Sequence, residues 1–339
     1  MTEPMSKYVR NTLSRAAQSM GTVDPGAYVG RALDEAFDLP RGDLRYAQNA
    51  LTPDAAPLEP SFSETEPYGL RFTMEPLGPH GSPGVKRQEA SRIARGLVGP
   101  MFGRDALYWF DRMSEDHRGA AGGAGLRFGA WFGAGFDRDG LYSSKVYYEL
   151  RDAHLAELPQ PLRNHVSTAL AAFPRLRPLF KTIAVRQRSG RMRITFRVDG
   201  PLRVEELRPM LDALGLGDKM AQVTRLFGLA LGGTFGAPDG AVLIGIADAN
   251  GSPELKIELL IAAIPDIPES FVELLRLGLA ERPRHLRALD SWMGAFTPEG
   301  ADLPGSFSVM SIKLTATSPA QVSLYLRPMG FEIAREMAG

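Results

Sequence analysis

The stretch Thr182-Ile183-Ala184-Val185-Arg186-Gln187-Arg188-Ser189-Gly190-Arg191-Met192-Arg193-Ile194-Thr195-Phe196-Arg197-Val198 sets the pattern of the chain. Two extended runs, Thr182–Arg188 and Arg191–Val198, meet at Ser189-Gly190, a pair suited to a tight hairpin turn. Side chains alternate across a strand. In the second run Arg191, Arg193, Thr195 and Arg197 therefore share one face, and Met192, Ile194, Phe196 and Val198 share the other. The same event recurs at Leu58–Ser63 with Leu70–Glu75, Leu126–Phe136 with Ser144–Leu150, Ala241–Ala247 with Glu254–Ile261, and Phe307–Thr315 with Gln321–Leu326. Each second run divides in the same way. Arg71, Thr73 and Glu75 oppose Leu70, Phe72 and Met74; Lys145, Tyr147 and Glu149 oppose Val146, Tyr148 and Leu150. Glu254, Lys256 and Glu258 oppose Leu255, Ile257 and Leu259; Ser323, Tyr325 and Arg327 oppose Val322, Leu324 and Leu326.

Between the hairpins the apolar spacing changes to a helical period. Helices are expected over Ser6–Phe37, interrupted near Asp24-Pro25-Gly26, and over Glu89–Arg112, broken at Gly99-Pro100. Others are expected over Arg151–Phe173, Val204–Leu214, Phe271–Leu279 and Leu286–Met293. The chain reads as one α+β domain over residues 1–339, with residues 1–50 a helical segment packed on the rest. Ten antiparallel strands in five repeated helix–strand–strand units suggest a closed barrel inside a ring of helices. An alternating face is also what a half-exposed sheet shows, apolar side on the core and polar side in water. The helical connections favour the inverse arrangement, because they need an apolar surface to cover. The polar faces then line a lumen of Arg, Lys and Tyr, which suits a polyanion such as a phosphate ester.

Composition narrows the function. The 339 residues carry 39 Lys+Arg and 39 Asp+Glu, so no excess of positive charge supports nucleic-acid or polybasic membrane binding. Cysteine is absent, which removes disulfides, thiolate catalysis and zinc–cysteine sites. No apolar run reaches the roughly 20 residues of a membrane span, and Met1–Met20 has no apolar core segment of a secretory signal. The expected compartment is the cytoplasm. The histidines show no metal-ligand spacing, and Arg282-Pro283-Arg284-His285 reads as a solvated helix start.

Several motifs, in order, resemble the dimethylallyltryptophan synthase family of aromatic prenyltransferases. Pro57-Leu58-Glu59-Pro60-Ser61-Phe62 followed by Leu70-Arg71-Phe72-Thr73-Met74-Glu75-Pro76-Leu77 is similar to the family's opening strands. Gly135-Phe136-Asp137 with Lys145-Val146-Tyr147, then Arg191-Met192-Arg193, then Val322-Ser323-Leu324-Tyr325-Leu326-Arg327-Pro328, resemble later ones. The resemblance runs from about Pro57 to Pro328. It implies the prenyltransferase (ABBA) barrel and transfer of a dimethylallyl group from its diphosphate to an electron-rich ring, an indole such as tryptophan first, in secondary metabolism of the alkaloid type. The Arg- and Gly-rich composition looks bacterial. No cofactor and no metal are expected, since no Asp-Asp-x-x-Asp cradle is present. The expected partners are the prenyl diphosphate and an aromatic acceptor, in a monomer or homodimer.

The resemblance gives roles to residues. Arg71, Lys145, Arg191, Arg193 and Lys256 are the expected diphosphate ligands, with Lys145 also acting in catalysis. Tyr147 and Tyr325 would shield the allyl cation, and Glu59 would be the base, with Glu64 and Glu66 weaker candidates at the turn. Independently of the resemblance, Trp131, on the same face as Arg127, is a candidate either to stack on the acceptor or to fill the core. Thr195 and Glu258 depart from the family, where tyrosines are usual, which fits a wider pocket or a shifted register. Two other functions stay open: the same chemistry on a phenol, tyrosine or peptide, and a non-catalytic barrel that binds a lipid or phosphorylated ligand.

Overall fold

The computed structural model describes residues 3–117, 125–150, 155, 157–265 and 267–333. Ten strands close into a barrel: β1 (Leu58–Ser63), β2 (Leu70–Met74), β3 (Ala130–Asp137), β4 (Gly140–Glu149), β5 (Leu176–Arg186), β6 (Ser189–Val198), β9 (Val242–Ala249), β10 (Ser252–Leu260), β11 (Gly305–Thr315) and β12 (Gln321–Pro328). β7 (Leu202–Arg203) and β8 (Gly236–Ala237) form a separate two-stranded pair. Around the barrel the order is β1-β12-β11-β10-β9-β6-β5-β4-β3-β2, and β2 pairs back onto β1. Every pairing is antiparallel, so no barrel strand keeps a free edge. All five expected hairpins are present, and their turns lie at one end of the barrel.

Helices fill the other connections. α1 (Met5–Met20) and α2 (Gly26–Ala36) precede β1; α3 (Pro83–Phe102) and α4 (Arg104–Ser114) join β2 to β3; α5 (Gln160–Ala172) joins β4 to β5. α6 (Arg208–Ala213) and α7 (Met220–Ala230) lie between β6 and β9, and α8 (Phe271–Leu279) and α9 (Pro283–Phe296) between β10 and β11. The apolar strand faces point out at these helices. Phe62, Phe72, Phe132, Phe136, Val146, Ile194, Phe196, Ile244, Ile257, Ile312 and Leu324 are all at most 2% exposed and belong to one continuous core with α1, α3, α7 and α9. Each such side chain contributes roughly 1.5–3 kcal/mol of burial. The core of this protein therefore lies between barrel and helices, and the lumen is free to be polar.

Several boundaries differ from the sequence expectation. β5 starts at Leu176 rather than Thr182, and β3 starts at Ala130 rather than Leu126, because Gly129 turns the chain with φ +77° against the Pro83 carbonyl. α3 runs through Pro100 and breaks at Gly103. Pro100 deprives the Gly96 carbonyl of its helical partner, and Gly96 is exposed, so that carbonyl is open to solvent. α7 was not expected at all. The helix expected over Arg151–Phe173 is Gln160–Ala172, and residues 151–154 and 156 lie outside the described residues.

Candidate active site

The hydrogen-bond register places the expected cations inside. Thr73 stands opposite Gly133, Gly133 opposite Lys145, Lys145 opposite Ala184, and Thr182 opposite Arg193. Arg193 then faces Ala247, Gly245 faces Lys256, and Tyr325 faces Ser61, which completes the circuit. Arg71, Lys145, Arg191, Arg193, Lys256, Tyr147, Tyr325, Glu59 and Trp131 thus all lie on lumenal positions. A small cavity of about 20 Å³, room for one water-sized body, lies among Ser61, Arg71, Thr73, Lys145, Tyr147 and Tyr325.

Toward the hairpin end the lumen is cationic. Arg191 and Arg193 each donate to the carboxylate of Glu254, at 2.6 Å, and Glu254 is 1% exposed. Burial opposes its charge, but Arg193, Arg191 and Lys313 outweigh burial and hold its carboxyl below the usual range. Lys313, opposite Lys256 in the register, is itself pushed down by burial despite the Glu254 charge. Arg186 donates to Glu66 at 2.8 Å and lies over the Tyr142 ring. Arg71 and Lys145 are different. The Arg71 Nε is buried without a hydrogen bond, and Lys145 has no hydrogen bond or ion pair among the described residues. Burial, then the charges of Arg71, Lys256, Arg193 and Arg186, push the Lys145 ammonium well below its ordinary range. Among the described residues no carboxylate pairs with either side chain, which leaves a place for an anion between them.

Midway, Lys256 donates to Tyr325 Oη at 2.6 Å, and its ammonium lies 4.9 Å from that ring. It also pairs with Glu258. Burial disfavours the ammonium, but Glu258 and Tyr325 overcome this and keep Lys256 protonated. Lys256 thus has a structural ion pair among its roles, and Glu258 is its counter-ion rather than a displaced tyrosine.

At the opposite end the lumen is aromatic. Trp131 stacks on Phe128 with centroids 4.1 Å apart, and Phe180 meets Trp131 and Tyr147 edge-on at 5.6 and 5.8 Å. Phe128, Phe180 and Leu243 form an apolar cluster separate from the main core, with Trp131 and Tyr147 packed against it. Glu59, 5% exposed, sits in this half and accepts a hydrogen bond from Ser308 at 2.5 Å. Burial, with Glu258 nearby, pushes its carboxyl up to about 7, against the pull of Ser308, Arg327 and Lys256. Burial also pushes the Tyr147 phenol up to about 12, so it stays neutral.

Three expectations fail. Glu75, grouped by alternation with Arg71, is not lumenal: β2 ends at Met74 before Pro76, and Glu75 pairs with Lys86 of α3. Glu64, weighed as a base, is clasped by Arg282 at 2.7 Å and His285 at 2.8 Å and accepts from the Val322 backbone. The Arg282-Pro283-Arg284-His285 stretch does open α9, with Pro283 and Arg284 exposed, while Arg282 and His285 turn to Glu64. Glu66 at the turn serves Arg186. Sequence reading missed Arg186, Lys313 and Phe180, although alternation extended to the first strand of each hairpin places all three inside. It missed Ser308 and Phe128, for which alternation gives no signal. Thr195 does face the lumen, opposite Gly245, so the register read for this strand holds. A Cβ on Gly245 would lie 2.7 Å from Arg193 Cδ: this glycine makes room for the Arg193 side chain.

No family model matches the chain, and no curated protein does. Solved structures do. A 6-dimethylallyl tryptophan synthase aligns with TM-score 0.78 at 15% identity, over 98% of this chain and 99% of that one. The 6-dimethylallyltryptophan synthase from Micromonospora olivasterospora, in complex with DMASPP and Trp, aligns with TM-score 0.77 at 18% identity, over 98% and 99%. The 5-dimethylallyltryptophan synthase from Streptomyces coelicolor aligns with TM-score 0.72 at 16% identity, over 98% and 100%. The resemblance read in the sequence thus returns as a likeness of architecture from end to end: the chain shares its fold with the dimethylallyltryptophan synthases.

Proposed function

We propose that the chain transfers a dimethylallyl group from its diphosphate to an electron-rich aromatic ring, with an indole of the tryptophan type as acceptor. The observation that carries this reading is that Arg71 and Lys145, with no carboxylate partner among the described residues, are enclosed in a lumen whose other half is lined with aromatic rings and a carboxyl poised near neutrality. A diphosphate answers the first half, and a flat ring the second. A solved structure of the same fold, in complex with DMASPP and Trp, supports the reading.

In this reading the diphosphate enters among Arg71, Lys145, Arg191, Arg193 and Lys256, with Arg186 and Lys313 at its outer edge. Arg71 and Lys145, which no hydrogen bond or ion pair holds among the described residues, move aside to admit it. Its charge also restores the Lys145 proton, because the anion offsets the neighbouring cations. The allylic C–O bond then breaks, its electron pair leaves with the diphosphate, and the cations take up the growing charge. Tyr147 and Tyr325 face the allyl cation, and their rings stabilise it and exclude water. The ring carbon of the acceptor, laid against Trp131, attacks the cation to form the C–C bond. The proton displaced from the acceptor passes to Glu59, which restores aromaticity. A carboxyl near 7 is suited to accept and then release that proton.

The test is incubation with dimethylallyl diphosphate and a panel of tryptophan, indole, tyrosine, phenols and aromatic peptides, with and without magnesium, read by mass spectrometry. A gain of one dimethylallyl unit on the indoles is expected. No gain on any acceptor, with tight binding of a lipid or phosphorylated ligand instead, replaces the enzyme with a binding barrel.

A further inference from the structure

Ser308 has no part in the scheme above beyond its contact with Glu59. It lies in β11 where the pairing with β12 slips between Phe307 and Val309. Strand alternation groups it with Met310, Ile312 and Leu314, which are buried under the helices. The slip is a β-bulge, and an extra residue in one strand re-aims a side chain. The Ser308 hydroxyl is accordingly turned inward and donates to Glu59 Oε1 at 2.5 Å, with both residues 5% exposed. Glu59 Oε2 has no hydrogen bond among the described residues.

The surrounding charges do not hold Glu59. From β10, Glu258 repels it, and Lys256 is already committed to Glu258 and Tyr325. From β12, Arg327 attracts it at a distance without an ion pair among the described residues. A neutral hydroxyl is the group that fixes its orientation. That choice has a chemical consequence. A directly paired cation would hold the carboxylate ionised too firmly to accept a proton, whereas a hydroxyl orients it and leaves it basic.

We propose that Ser308 is a positioning residue, which from its bulge clamps Oε1 of Glu59 and leaves Oε2 as the oxygen that takes the acceptor's proton. This rests on the reading of Glu59 as the base. The Ser308→Ala protein should fold with an unchanged far-ultraviolet spectrum and bind pyrophosphate as before. Its kcat should fall about tenfold at neutral pH, and the acid limb of its pH–rate profile should move up by about one unit, as loss of one donor to a carboxylate requires. Ser308→Thr, which keeps the hydroxyl, should restore both. Infrared titration of the isotope-labelled Glu59 carboxyl should show the same upward shift without any turnover. An unmoved acid limb and carboxyl titration in Ser308→Ala, with Glu59→Gln inactive, overturns the clamp and leaves the base in place. Full turnover by Glu59→Gln removes the base, and the clamp with it.

Discussion

At the hairpin end the lumen gathers Arg191, Arg193 and Lys313 around one buried carboxylate, Glu254, with Arg186 held by Glu66 and with Arg71 and Lys145 left over. At the other end the same strands carry Phe128, Trp131, Tyr147 and Phe180 with Glu59, whose one hydrogen bond comes from a hydroxyl. The first region shifts an amine down and the second shifts a carboxyl up, and burial leads in both. Desolvation in one closed barrel thus produces a centre short of negative charge and a centre short of positive charge. In the proposed reading the two halves take different partners, an anion and a neutral ring carrying a proton to give up.

The sharpest way to break that division is to disarm one half at a time. Glu59→Gln should lower kcat by about 10²–10⁴ while pyrophosphate affinity, measured by calorimetry, stays as it was. Lys145→Ala or Arg71→Ala should do the reverse to binding: each weakens pyrophosphate by about tenfold to a hundredfold, the worth of a charge-assisted bond, and slows ionisation as well. Equal losses of pyrophosphate binding in Glu59→Gln and Lys145→Ala would erase the distinction.

Stability against pH gives the next largest effect. Glu59 titrates near 7 in the folded chain against an ordinary 4.5. A group raised on folding favours the native state below its unfolded value, and that advantage is lost as pH rises through 7. Removing the charge with Glu59→Gln should therefore stabilise the protein by about 3 kcal/mol at pH 8, falling to nothing below pH 4.5. Chemical denaturation at the two pH values measures it. Lys145 works with the opposite sign. Its lowered value means that the folded chain binds fewer protons than the unfolded one, so stability rises with pH until the ordinary lysine value is passed. Pyrophosphate should cancel that slope, and its binding should take up protons, visible as a dependence of the calorimetric heat on buffer. A smaller effect concerns the ring end: Trp131→Ala should weaken the acceptor by up to about tenfold, the scale of an aromatic pair, with the diphosphate untouched.

The barrel was legible in the sequence because its evidence repeats. Arg193 against Ile194, or Lys256 against Ile257, is a period-two signal that local geometry enforces. The lumenal placement of Arg71, Lys145 and Tyr325 followed from it. What stayed hidden depends on contacts between distant segments. Glu75 and Glu149 share the parity of lumenal residues, yet Glu75 pairs with Lys86 and Glu149 accepts backbone N–H bonds from Arg127, Phe128 and Gly129. The bulge at Ser308 depends on the partner strand, and no pattern within β11 announces it. The clasp of Arg282 and His285 on Glu64 joins residues more than 200 positions apart. Alternation reports a face; it does not report which neighbour claims a charge.

The closure of the barrel has one more consequence. Because the helices grip one face of each strand, the side chains that build the hydrophobic layer alternate with the side chains that line the lumen. New specificity can therefore be explored by rewriting every other strand position, as a combinatorial library would, while the scaffold keeps its hydrophobic layer intact. Chemistry in this architecture is upholstery: it can be changed without touching the frame.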